Sequence, residues 1–203
     1  MQLRSTPFLL ALAAGMASAA DLRGYFEGNC GGGYLQCGNV GAGTCCIILR
    51  ENGLRGSPSI AVVFAGTGTQ LFGYQRTRDG NSCGSIAAQK ATGGLSYTCL
   101  DIPAGTGEFS GTRWYPPGLF LKRSPATSCA PTSTEECTGL ATPDLVVLND
   151  GHAFGLTGVD DATTEVLYAF AANGSTVADL PESVAGLEVD GEGVEARVRM
   201  MRN

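Results

Sequence analysis

Ser59-Ile60-Ala61-Val62-Val63-Phe64 sets the fold class of this chain. After Ser59 every side chain is apolar, and three of them are β-branched. A run of this length without polar alternation reads as a strand buried on both faces. On its N-terminal side lies Ile47-Ile48-Leu49-Arg50, separated from it by the turn signal Glu51-Asn52-Gly53. On its C-terminal side lies Leu71-Phe72-Gly73-Tyr74-Gln75, followed by Asp79-Gly80. Asn-Gly and Asp-Gly supply the positive φ that tight hairpins need. Residues 86–89, 96–100 and 112–115 continue the rhythm. Gly makes up 30 of the 203 residues, about twice the usual share, and is scattered without period. Short strands between frequent turns predict a mostly β protein: an antiparallel sandwich or barrel with one short C-terminal helix, stabilised by disulfides.

Residues 25–46 contain Gly31-Gly32-Gly33 and Gly41-Ala42-Gly43 and read as a loop region poor in core residues, dependent on cross-links for order. Pro116-Pro117-Gly118 interrupts the strand pattern, and residues 116–143 read as a Pro/Ser/Thr-rich connection. Beyond it, 144–149, Asp150-Gly151 and 152–156 predict a hairpin with a two-residue turn. A helix is expected over 161–172, with Val166, Leu167 and Phe170 on its apolar face and Asn173-Gly174 as its C-cap. Residues 187–189, Asp190-Gly191 and 194–200 predict a closing hairpin, its second arm alternating wet and dry. The chain thus divides into 1–19, a cysteine-rich β region at 20–115, the connection at 116–143, and a hairpin–helix–hairpin region at 144–203. The last region forms one domain with 20–115 or a second lobe.

Residues 1–19 have the form of a secretory signal peptide. Arg4 is the positive start, 8–14 the apolar centre, and Ala17-Ser18-Ala19 the small-x-small cleavage site. The apolar part is shorter than the ~20 residues a membrane span requires, and no later segment is long and apolar enough, so membrane insertion is not expected. All eight cysteines follow the cleavage site: Cys30, Cys37, Cys45, Cys46, Cys83, Cys99, Cys129 and Cys137. An even count in an exported chain reads as a disulfide framework. Proximity in sequence favours Cys83 with Cys99, Cys129 with Cys137, and Cys30 and Cys37 with Cys45 and Cys46. Zinc does not fit, because there is no C-x-x-C pair and only one histidine.

The formal net charge is −6, and the basic residues are dispersed. Nucleic acid and acidic membrane surfaces are therefore unsuitable partners. Gly80-Asn81-Ser82-Cys83-Gly84 matches the G-x-S-x-G elbow of serine hydrolases, with Ser82 as nucleophile, His152 as base and Asp150 or Asp144 as orienter. The elbow requires a buried strand before it and a helix after it. Here Arg76-Thr77-Arg78-Asp79 precedes it, and the strand–helix alternation of that fold is missing. Asp101, Glu108, Glu135 and Glu136 offer carboxylates for glycoside hydrolysis, but no spacing selects a pair. Arg113-Trp114-Tyr115-Pro116-Pro117 holds the sole Trp beside a Tyr and two prolines. Trp114 and Tyr115 are the candidate contact residues for a sugar or protein partner, against the alternative that Trp114 fills the core and Tyr115 covers it. Asn173-Gly174-Ser175 is an N-glycosylation acceptor sequence, and Lys122-Arg123 a dibasic processing sequence.

The order Cys30, Cys37, Cys45-Cys46, the apolar run at 59–64, Gly73-Tyr74, Cys83 and Cys99 resembles the small, secreted, cysteine-rich proteins of filamentous fungi, over about half the chain. The resemblance implies export to a host interface or the cell wall and brings no catalytic residues. Hydrophobins differ in having two Cys-Cys doublets where this chain has one. Cutinases share only the fragment Phe64-Ala65-Gly66-Thr67-Gly68-Thr69 and the elbow-like sequence. The expected function is extracellular binding of a protein or polysaccharide, effector-like or wall-associated, without catalysis or cofactor. The rivals are a secreted esterase using Ser82 and a structural coat or matrix protein.

Overall fold

The computed structural model describes residues 19–49, 56–94, 96–118 and 139–189. Twelve strands within these residues form two sheets. The larger has the order β12 (Glu188–Val189), β11 (Ala153–Gly155), β10 (Leu145–Val147), β2 (Tyr34–Gly41), β1 (Ala19–Tyr25), β4 (Ser59–Val63), β7 (Tyr97–Asp101), antiparallel throughout. The smaller has the order β6 (Ser85–Ala91), β5 (Gln70–Gln75), β8 (Gly111–Tyr115), β3 (Cys45–Ile47), β9 (Leu140–Ala141), antiparallel except for the β3–β9 pair. The mostly β, disulfide-linked fold expected from the sequence is the fold observed.

Period-two alternation places one set of side chains between the sheets. Leu22, Leu35, Cys37, Ile60 and Val62 of the larger sheet meet Cys46, Leu71 and Trp114 of the smaller in one apolar cluster. Helix α1 (Asp161–Ala172) adds Leu167, Tyr168 and Ala171 to that cluster beside Val146, Leu148 and Phe154. The inner face of the larger sheet is therefore covered partly by the smaller sheet and partly by the helix. β4 is buried at every position, as its apolar run requires.

Three disulfides are formed among the described cysteines: Cys30–Cys99, Cys37–Cys46 and Cys45–Cys83. Cys37 with Cys46 agrees with the local expectation. The pairings of Cys83 with Cys99 and of Cys30 with Cys45 or Cys46 are corrected: Cys83, in the β5–β6 connection of the smaller sheet, joins Cys45, while Cys99, on β7 of the larger sheet, joins Cys30. Successive strand residues point to opposite faces, so Cys46 turns inward to β2 while Cys45 turns outward to the β5–β6 loop. Cys129, Cys137, Lys122-Arg123, Glu135, Glu136, Glu51-Asn52-Gly53, residues 1–18 and the second arm of the closing hairpin lie outside the described residues.

Residues 25–46 are not a loop region. They contain β2, which pairs with β1 and β10 and buries Leu35, Cys37 and Val40. Its flanking glycines mask a strand that is apolar on one face only. The strand expected over 47–50 is displaced to Cys45–Ile47, because the N–H groups of Ile48 and Leu49 both donate to the Ser110 carbonyl (3.0 and 3.1 Å) and break the ladder there. Helix α1 has the expected bounds. Its buried face is Thr164, Leu167, Tyr168 and Ala171, whereas Val166 is 38% exposed. The hairpin at β10–β11 has a three-residue connection. Gly151 N–H donates to the Leu148 carbonyl (3.0 Å), making Asn149 and Asp150 the turn centre, and Gly151 follows at φ 91°. This is a type I turn with a left-handed glycine closing the bulge.

Candidate binding face

The outer face of the larger sheet carries a polar aromatic cluster. On β1, Ala20 and Leu22 point into the core, so Asp21, Arg23 and Tyr25 point outward. The register places Arg23 beside Gln36 and Tyr25 beside Tyr34. Ala61 and Ser59 of β4 continue these two rows, and Cys99 and Asp101 of β7 end them. Tyr97, two residues before Cys99, lies on the same face.

Arg23 Nε donates to Gln36 Oε1 at 2.8 Å. The same guanidinium lies over the Tyr34 ring, 4.6 Å from its centroid, a cation–π geometry. Tyr34 packs on Tyr25 with centroids 5.0 Å apart, and Tyr97 Oη donates to Tyr25 Oη at 3.3 Å. Burial raises the pKa of Tyr34 against the opposing Arg23. Burial and the hydrogen bond to Tyr25 raise that of Tyr97. Both phenols therefore stay neutral and keep their O–H groups as donors. Asp21 is committed to the backbone: β1 is irregular at this point, and Asp21 Oδ1 accepts from Asn39 N–H at 2.8 Å, where Asn39 has φ 55°. Tyr97 is 38% exposed and Tyr25 only 5%, so Tyr97 is the ring offered to solvent and Tyr25 its support.

The segment after β1 forms one margin of this face. Its short 3₁₀ turn, Gly28–Cys30, has two successive non-glycine residues in the left-handed region, Asn29 (φ 56°) and Cys30 (φ 54°). Such a conformation persists only where its surroundings enforce it. Here the Cys30–Cys99 bridge does so, with Cys30 N–H on Ser59 Oγ (2.9 Å), Ser59 Oγ on the Glu27 carbonyl (2.6 Å) and Asn29 N–H on Asp101 Oδ1 (2.5 Å).

The structure does not place the sequence-derived candidates here. Trp114 is fully buried, and its Nε1 donates to the Val40 carbonyl at 2.8 Å, bridging the two sheets. It cannot stack on a ligand; a side chain on β8 that alternates inward becomes core. Tyr115 points to the opposite face of β8 and packs edge-on against Phe72, 5.8 Å between centroids. There it borders a second cluster of Phe72, Tyr74 and the Cys45–Cys83 bridge. Burial pushes the Tyr74 phenol up to about 12.

The elbow-like sequence Gly80-Asn81-Ser82-Cys83-Gly84 sits in a setting unlike that of a serine hydrolase. Residues 80–84 lie in the connection of an antiparallel hairpin between β5 and β6, and a strand rather than a helix follows. The Ser82 carbonyl accepts from Ser110 Oγ at 2.6 Å. His152 lies on the larger sheet's hairpin, its Nδ1 2.5 Å from Glu188 Oε1. Asp150 accepts from the N–H groups of Val177 (2.7 Å) and His152 (3.3 Å), and Asp144 from Gly38 N–H (3.0 Å). The two aspartates hold backbone N–H groups and His152 pairs with Glu188; among the described residues none of the three is hydrogen-bonded to Ser82. Among the described residues, a shallow cleft of about 390 Å³ lined by Leu49, Gln75, Arg76, Glu108 and Ser110 carries one carboxylate, Glu108. Asp101 is engaged at the margin of the tyrosine face. Among the described residues no group of three or more His, Cys, Asp or Glu side chains gathers as a metal site. No helix among them is long and apolar enough to cross a membrane.

The model for the N-terminal domain of the ARB_05566 family matches residues 21–144, and that for its C-terminal domain matches residues 149–203. The chain belongs to the ARB_05566 family. Strand β10 lies between the two matched segments and pairs with β2 on one side and β11 on the other, so one sheet runs through both. A protein of Arthroderma benhamiae described as an uncharacterized secreted protein is 31% identical over 189 residues, covering 93% of this chain and 95% of that one. The protein is accordingly a secreted member of this fungal family, in line with the resemblance seen in the sequence. No solved structure matches it.

Proposed function

We propose that this ARB_05566 family member acts outside the cell by binding rather than catalysis, and that the Arg23–Tyr34–Tyr97 face receives a neutral polysaccharide. The observation that carries this reading is the Arg23 clamp, a guanidinium fixed between Gln36 and the Tyr34 ring next to a partly exposed Tyr97. Aromatic rings offer apolar faces to the C–H side of a sugar, and planar polar groups meet its hydroxyls. The two charges that β1 carries on this face, Asp21 and Arg23, are of opposite sign, and each already holds a polar partner, the Asn39 N–H and the Gln36 amide oxygen. That favours an uncharged ligand over an acidic one. A protein-docking patch would present a larger apolar centre; on this face the exposed large apolar side chains among the described residues are Tyr97 and Val189, which stand on β7 and β12 at opposite edges of the sheet.

The separation of Ser82 from His152 and Asp150 supports a binding role over the esterase rival. The test is retention of the secreted protein on insoluble chitin, β-glucan and cellulose, with Ser82→Ala alongside. Retention of both proteins on at least one polymer is expected. Absence of retention on all three would remove the polysaccharide reading, and ester hydrolysis that Ser82→Ala abolishes would restore the esterase.

A further inference from the structure

Asn173-Gly174-Ser175 is the one Asn-x-Ser/Thr sequence in the 203 residues, and it falls at the end of α1. The helix closes by backbone bonds alone. Gly174 N–H donates to the Ala171 carbonyl (3.2 Å) and Ser175 N–H to the Phe170 carbonyl (3.0 Å), while Gly174 takes φ 70°. These are the two bonds of a Schellman motif, in which the left-handed position belongs to glycine. Asn173 is the C-cap and contributes its own N–H to the Ala169 carbonyl. Its side chain has no part in this arrangement. It is exposed, and among the described residues its carboxamide makes no hydrogen bond. The packed face of the helix is formed by Thr164, Leu167, Tyr168 and Ala171.

We infer that Asn173 carries an N-linked glycan on the exported protein. The acceptor chemistry is that of its sequence context: the Asn173 amide nitrogen bonds to the anomeric carbon of an oligosaccharide donated from a lipid diphosphate. The carbon–oxygen bond to that diphosphate breaks, the lipid diphosphate leaves, and the amide nitrogen gives up one proton. Transfer acts on the chain during export, so the fold has only to tolerate the product. It does so here because the cap is satisfied without the carboxamide. Helix α1 covers the inner side of the larger sheet, whereas the tyrosine face lies on the outer side, so the glycan does not occupy that face. The inference stands apart from the proposed ligand.

The test is mass analysis of the full chain secreted from a eukaryotic host, before and after peptide-N-glycosidase, with Asn173→Gln and Ser175→Ala produced in the same way. The wild type is expected to lose the mass of one glycan, leaving aspartate at position 173 on peptide mapping. Both variants are expected to leave the cell at the unmodified mass. Ser175→Ala keeps the asparagine and its cap, so it decides the matter even if Asn173→Gln is not secreted. A wild-type mass unchanged by the enzyme, or a glycan retained in Ser175→Ala, would overturn the inference.

Discussion

Cys45 and Cys46 are neighbours in the chain but are bonded on opposite faces of one strand. Cys46 crosses the core to Cys37 of the other sheet, and Cys45 holds the β5–β6 loop through Cys83. Both bridges are buried, with no sulfur-bearing residue more than 4% exposed. Cys30–Cys99 differs: both of its residues are partly exposed, and it restrains the left-handed pair Asn29 and Cys30. Thiol attack on a disulfide requires access to sulfur. Mild dithiothreitol under native conditions should therefore open Cys30–Cys99 first, as shown by alkylation and peptide mapping. Release of either doublet bridge ahead of it would contradict this order. In the chain-entropy view, loss of this bridge, whose cysteines are 69 residues apart, costs about 4 kcal/mol. The reduced form should thus melt lower while keeping its two sheets.

Trp114 should behave as a core residue and not as a ligand contact. Replacing it with alanine removes a fully buried side chain and the bond to Val40, a loss of roughly 3–5 kcal/mol. Trp114→Phe keeps most of the packing and leaves out the indole N–H, costing about 1 kcal/mol from that bond and somewhat more from lost volume. Denaturant unfolding would measure both. A Trp114→Ala protein of wild-type stability would show that the indole does not join the sheets.

The His152–Glu188 pair should make the edge of the larger sheet pH-sensitive. The hydrogen bond to Glu188 raises the His152 pKa above its ordinary 6.5, with Asp150 adding to it. A raised folded-state value means that the contribution is complete below about 6.5 and is lost as pH rises through the folded pKa. Both side chains are exposed, so the effect on global stability is small. It should appear as a His152 NMR titration midpoint above 6.5 that returns toward 6.5 in Glu188→Gln. A wild-type midpoint at or below 6.5 would refute it.

The elements most legible in the sequence are those with one continuous chemical signal: strand β4, apolar throughout, and helix α1, bounded by Asp160-Asp161 and Asn173-Gly174. β1 and β2 were hidden because only one face of each is apolar and glycines interrupt them, although together they form the middle of the larger sheet. The tyrosine face was illegible for a different reason. Arg23, Tyr34 and Tyr97 come from three different strands, the last far along the chain, and only the antiparallel register of β1 with β2 and β4, and of β4 with β7, brings them together. Trp114 is the sole tryptophan and stands close to two prolines, a sequence context that fits an exposed contact residue as well as a core one. Sequence alone does not state whether the alternation of β8 turns it inward, and the core claimed it. The cysteine pairing followed strand direction and not separation along the chain, which is why local proximity succeeded for Cys37–Cys46 and failed for Cys83.

The binding face is best tested by depletion isotherms of the secreted protein on the polymer that retains it, comparing wild type with Tyr97→Ala. Tyr97 is at the surface, on the edge strand β7, so its removal spares the core. Loss of a stacking ring worth about 1–1.5 kcal/mol predicts roughly a tenfold weaker affinity, with unfolding close to that of the wild type. Equal affinity of the two proteins would contradict the assignment of this face as the binding site.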